Sequence, residues 1–136
     1  MKKILFAIII SSIGTAYASC QLPESVEGKD FIMEISNAYS PGNPMAGNVY
    51  KMQFHSGGKY SYKILNNGKD YSGKYKYGRI ADNIGVINSE EMFGTDLTKY
   101  TLTLICDNAH SGLYFYQQSD GVAGRRSNTS RYFLLN

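Results

Sequence analysis

From Val49 onward the chain changes sides at almost every residue. Tyr50, Met52 and Phe54 alternate with Lys51 and Gln53, and Tyr60, Tyr62 and Ile64 alternate with Ser61 and Lys63. Tyr71, Gly73, Tyr75 and Tyr77 are set against Lys74 and Lys76, and Tyr100, Leu102, Leu104 and Cys106 against Thr101, Thr103 and Ile105. A period of two belongs to a strand with one face on a core and the other in water, not to an amphipathic helix. Turn residues punctuate the runs: Ser56-Gly57-Gly58, Asn66-Asn67-Gly68 and Asp107 to Ser111. Asn-Gly between alternating runs is the strongest short hairpin signal. After Ser19 no stretch carries apolar residues at helical spacing, so the expected class is all-β.

Eight strands are predicted. The first runs from Phe31 to Ser36, and a loop with Pro41, Gly42, Pro44 and Gly47 follows, where a regular ladder is excluded. The second is Val49 to His55, the third centres on Tyr60–Ile64 and the fourth on Tyr71–Tyr77. Ile80 to Asn88 reads as a fifth strand, and Ser89 to Thr98 as an acidic, glycine-containing connection with room for a helical turn at Glu90–Phe93. Tyr100 to Cys106 is the sixth, Leu113 to Gln118 the seventh and Arg131 to Leu135 the eighth. The polar segment Ser119–Ser130 between the last two is predicted as a mobile loop. Strands in hairpin succession build an open sandwich or a closed barrel, and closure removes exposed edges. The expected architecture is a small antiparallel up-and-down barrel of about eight strands, residues 19–136.

The N-terminus is of another kind. Lys2 and Lys3 precede an apolar run from Ile4 to Ile13, broken only by Ser11 and Ser12, and Ala16-Tyr17-Ala18 follows. This is the layout of a secretory signal, residues 1–18, with cleavage after Ala18. The run is about half of what a membrane-spanning helix needs, roughly 20 residues. The expected location is therefore periplasmic or secreted, in a bacterial envelope or beyond it, with no stable membrane insertion after cleavage. Fourteen lysines and arginines against eleven acids give +3, and losing Lys2 and Lys3 with a signal that contains no acid leaves +1. Nothing in that balance points to nucleic acid.

Cys20 and Cys106 are the two cysteines. In an oxidising compartment a Cys20–Cys106 disulfide is the preferred reading. Lipidation of Cys20 is the weaker one: Tyr17 stands where lipoprotein signals carry leucine, and a lipidated Cys20 would leave Cys106 as a single thiol.

Several segments together resemble the small calycin, or lipocalin-like, barrels of the MoaF-like family. They are Gly28-Lys29-Asp30-Phe31, Gly58-Lys59-Tyr60-Ser61-Tyr62, Ser72-Gly73-Lys74-Tyr75-Lys76-Tyr77, Tyr100-Thr101-Leu102-Thr103-Leu104 and Ser111-Gly112-Leu113-Tyr114. The resemblance spans nearly all of the chain after the signal and implies a calycin barrel. Phe31 replaces the first-strand Gly-x-Trp common in lipocalins, and no family site transfers residue by residue. Ser111-Gly112 after Cys106 also resembles the Ser-Gly segment of periplasmic c-type lysozyme inhibitors, without the basic Lys-Gly motif that follows it there.

Candidate chemistry is sparse. His55 and His110 lie beside predicted turns, and no ligand spacing accompanies them, so no metal site is expected. Gly-x-Ser-x-Gly, His-Glu-x-x-His and Cys-x-x-Cys are absent, and Glu90-Glu91 reads as a solvated loop. The protein is expected not to be an enzyme and to need no cofactor. Tyrosine is the informative residue, with a large apolar surface and a hydroxyl that wants a partner when buried. Tyr60, Tyr62, Tyr75, Tyr77, Tyr114 and Tyr132 are the candidate lining of a barrel interior, for a small apolar or aromatic ligand. The same residues also suit a filled core, since eight strands leave an interior that side chains can just fill. The alternative is a protein-binding module, an inhibitor or immunity protein, acting through His110 and Ser111 on one hairpin and Arg125 and Arg126 in the segment before the last strand.

Overall fold

The structure is a computed structural model that describes residues 20–121 and 124–135, so the expected signal, residues 1–18, lies outside the described residues. Eight strands follow one another: β1 (Asp30–Glu34), β2 (Val49–His55), β3 (Lys59–Ile64), β4 (Asp70–Ala81), β5 (Ile84–Phe93), β6 (Asp96–Asn108), β7 (Ser111–Asp120) and β8 (Arg126–Leu134). Each pairs antiparallel with the next, and β8 returns to β1 to close the barrel. The closing ladder is short, pairing Phe31 with Leu134, Ile32 with Phe133 and Met33 with Tyr132. The β5–β6 ladder, by contrast, runs unbroken from Ile84↔Ile105 to Phe93↔Asp96. The all-β, eight-stranded meander expected from the alternation is what forms, and it is compatible with a calycin-like fold.

The alternation fixes which side chains turn inward. Tyr50, Met52 and Phe54 of β2, Tyr60 and Ile64 of β3, and Tyr100, Leu102, Leu104 and Cys106 of β6 are buried. Their odd-parity neighbours face solvent or are half-buried, as a sheet wet on one side requires. Glycine enters the inward face where a tyrosine must lie flat. A Cβ on Gly73 would fall 2.6 Å from the Tyr60 hydroxyl of the paired strand, and one on Gly112 would fall 2.8 Å from the Tyr132 ring. At these two positions glycine is a packing device, each covered by a tyrosine ring across the ladder.

The two ends of the barrel are built differently. At one end are the β2–β3, β4–β5 and β6–β7 turns, and residues 20–29 cross it as a plug. Leu22 and Val26 are buried there, Leu22 N–H donates to Asp82 O at 2.8 Å, and the Tyr77 hydroxyl donates to Pro23 O at 2.8 Å. Arg79 holds the plug from the barrel wall, donating to Leu22 O and pairing with Glu24. The Cys20–Cys106 disulfide fastens it to β6 and closes a loop with a sequence separation of 86. This is the bond expected from the cysteine arithmetic.

The opposite end carries the β1–β2, β3–β4, β5–β6 and β7–β8 connections. Over part of its mouth lies the β1–β2 loop, made compact by Asn43, whose amide donates to Ser36 O at 3.0 Å and Ala38 O at 2.9 Å.

Two stretches differ from expectation. The expected fifth strand, Ile80 to Asn88, is broken by a turn at Asp82–Asn83: β4 continues to Ala81, and β5 extends through Glu90, Glu91 and Phe93, so the acidic connection and its helical turn are replaced by strand. Likewise most of Ser119–Ser130 is ladder rather than loop, with Gln117↔Ser127 and Gln118↔Arg126 paired. Both stretches place polar residues on the inward face. That breaks the hydrophobic alternation while leaving the backbone pairing intact.

Candidate functional site

The interior is filled in one half and hollow in the other. Toward the plugged end Phe31, Phe54, Ile87, Leu102, Leu104 and Tyr132 pack with Leu22 and Val26. Toward the open end the strands enclose a cavity of about 360 Å³, within the roughly 300–1,000 Å³ range of small-molecule sites. Its wall is largely aromatic. Tyr62 and Tyr71 stack at 5.0 Å, Tyr71 and Phe93 at 5.0 Å, and Tyr100 leans on Tyr116 at 5.0 Å between ring centres. Met52, Ile64 and Ile35 supply the aliphatic part, and Pro44 and Met45 reach over from the β1–β2 loop.

The polar groups of the cavity are few and specific. Glu91 points inward from β5 and is only 7% exposed. Its two carboxylate oxygens accept separate hydrogen bonds, from the Tyr60 hydroxyl at 2.9 Å and the Tyr62 hydroxyl at 3.3 Å. Tyr100 donates in turn to the Tyr60 oxygen at 2.8 Å. A carboxylate can only accept, so the protons of this chain all point toward Glu91. Burial pushes the Glu91 carboxyl above its usual range, and the bonds from Tyr60 and Tyr62 pull it partly back. Burial, and then the Glu91 charge, drive both phenols far upward, so they remain donors at any working pH.

On the β6–β8 side stand Thr98, Gln118, Arg126 and Asn128. The Gln118 amide receives the Tyr116 hydroxyl at 2.8 Å and donates to Gly124 O at 2.8 Å. Thr98 Oγ1, Asn43 Oδ1, Asn128 Oδ1 and Arg126 Nε are buried without a hydrogen-bond partner. Such groups cost roughly 1–3 kcal/mol each when left unmade, and here they gather around a hollow.

Of the tyrosines singled out in the sequence, Tyr62 and Tyr114 line the cavity and Tyr60 lies beneath its wall on Glu91. Tyr114 also ties the wall to β1, its hydroxyl donating to Glu34 O at 2.8 Å. The others sit in the filled half: Tyr77 on the plug, Tyr75 against Phe54 at 4.8 Å, and Tyr132 against Phe31 at 5.7 Å. Tyr50, Tyr100 and Tyr116 complete the lining, and Tyr50 and Tyr100 were legible as inward positions. Glu91, Thr98, Gln118 and Asn128 were not, because each interrupts the apolar pattern.

The candidate partner residues do not meet. His110 and Ser111 stand at the plugged end, where Asn108 donates to the Ser111 hydroxyl, whereas Arg125 and Arg126 stand at the open end. Arg126 lines the cavity, and Arg125 next to it is exposed. Among the described residues no cluster of histidine, cysteine, aspartate or glutamate has the makings of a metal site. Comparison with family models, with curated proteins and with solved structures gives no match.

Proposed function

We propose that this protein is an exported, non-enzymatic binder of one small amphipathic molecule with an apolar or aromatic body, held in the open half of the barrel. The observation that carries the reading is the hollow itself: an aromatic-walled space bordered by buried polar atoms that lack partners. A core evolved only for stability fills such a space and pairs such groups. Export is supported by the signal layout of residues 1–18 and by the disulfide, a bond that persists in oxidising compartments. No helix among the described residues is long and apolar enough to cross a membrane.

The test is titration of the mature protein with a neutral aromatic fluorophore, N-phenyl-1-naphthylamine, alongside native mass spectrometry of protein purified gently from its own envelope fraction. One-to-one binding is expected, and it is lost in Ile64→Phe, which projects a ring into the cavity. A wild-type protein that takes up neither the fluorophore nor any co-purified molecule would overturn the reading.

A further inference from the structure

The two carboxylates at positions 90 and 91 face opposite sides of one strand, and their surroundings are inverted with respect to stability. Glu90, on the outer face, has the Lys99 ammonium 3.7 Å away in solvent. Glu91, inside, has no cation within ion-pair distance among the described residues. What Glu91 has is dipoles. The Tyr60 and Tyr62 hydroxyls each occupy one lone pair, and Tyr100 backs them through Tyr60. An ionised carboxylate offers about four acceptor sites, so roughly two remain for a group arriving from the cavity. Around it the rings of Tyr62, Tyr71, Tyr100 and Tyr116 border the cavity, those of Tyr62 and Tyr71 stacked between Tyr60 and Phe93.

We infer that the ligand is a small organic cation, an ammonium group on an aromatic or apolar body, with its charge held on Glu91 inside the tyrosine wall. This rests on the cavity being a ligand site and adds the ligand's charge to that reading. Arg126 gives the cavity its direction. It lies on β8, three strands around the ring from Glu91, and makes no ion pair with it. Its guanidinium repels an ammonium and, with Nε unpartnered, suits an acceptor at the far end of the ligand. The ammonium is thereby directed to the Glu91 side.

Three probes of nearly one shape separate the alternatives by calorimetry at pH 7 and low salt: tryptamine, neutral 3-ethylindole and the anion indole-3-propionate. Tryptamine is expected to bind about tenfold or more tightly than 3-ethylindole, the worth of one charge-assisted hydrogen bond. Glu91→Gln is expected to erase that ratio, so that tryptamine and 3-ethylindole bind alike. Arg126→Gln, which touches none of the Glu91 network, is expected to tighten tryptamine several-fold. If 3-ethylindole or indole-3-propionate binds wild type as well as tryptamine does, the inference falls and the cavity reading stands. If none of the probes binds and N-phenyl-1-naphthylamine also fails, both fall together.

Discussion

One barrel contains two interiors. In the plugged half Leu102 and Leu104 are fully buried and Phe31 packs edge-on against Phe54 at 5.6 Å, so that space is taken up by side chains. In the open half the same strands, a few residues further along, carry Glu91, Thr98, Gln118 and Asn128 around a hollow. The difference lies in inward identity, not in backbone, because the β5–β6 ladder runs through both halves without a break. Stability is concentrated where the chain is apolar and sealed. The open half gives up packing and polar satisfaction for a shape that something else can fill.

That contrast can be broken by experiment. The largest expected effect is loss of the fastening at the plugged end: Cys20→Ser with Cys106→Ser should cost about 4.6 kcal/mol in denaturant unfolding, as the chain-entropy model gives for a loop of this length. Next come truncations of comparable size in the two halves. Leu104→Ala should cost about 4 kcal/mol and Ile64→Ala about 2 kcal/mol, since Ile64 already borders empty space and opens less new cavity. Equal costs would mean that the open half is as well packed as the other.

A third effect is one of pH. Glu91 titrates higher in the folded chain than its usual 4.5, so it favours folding most below that value, and the contribution is lost as pH rises through the raised folded value. The groups facing it are the phenols of Tyr60, Tyr62, Tyr71, Tyr100 and Tyr116 and, across the cavity, the guanidinium of Arg126. Glu91→Gln should therefore match wild type near pH 4 and become the more stable protein toward pH 7, by thermal unfolding. Asp30 is the outer-face counterpart with the opposite sign: its hydrogen bond and ion pair with Lys51 at 2.8 Å hold it below its usual range, so its contribution is lost as pH falls. The smallest effect sharpens the picture of the filled half. The Tyr132 hydroxyl is buried there without a partner, and its value is pushed up to about 12, mainly by burial. Tyr132→Phe should be neutral or stabilising by up to about 1 kcal/mol, checked by the same unfolding curves.

The strands with an apolar inner face were legible in the sequence and the polar segments bordering the hollow were not, for one physical reason. Period-two reading detects a strand by the contrast between an apolar face and a polar one. Val49–His55 and Tyr100–Cys106 keep that contrast, and they are strand as expected. Where the inner face turns polar the contrast vanishes, so Glu90-Glu91 reads as loop and Arg126–Ser130 as mobile segment although both are ladder. Segments whose local pattern contradicts the fold are where a functional or strained site is expected. Here they are the segments that line the cavity.

The short β1–β8 ladder sets the molecule's rhythm of opening. A closed ring parts first where the fewest backbone bonds must be broken, and the disulfide loop holds residues 20 to 106 together while β8 has no covalent clasp. In amide hydrogen exchange, β8 and the β1 amides facing it should form the earliest cooperative unit to trade protons with solvent, ahead of the β5–β6 pair. Arg126 and Asn128 belong to that same strand, so the side of the cavity they supply would come and go with it, at a lower free-energy cost than unfolding of the whole chain.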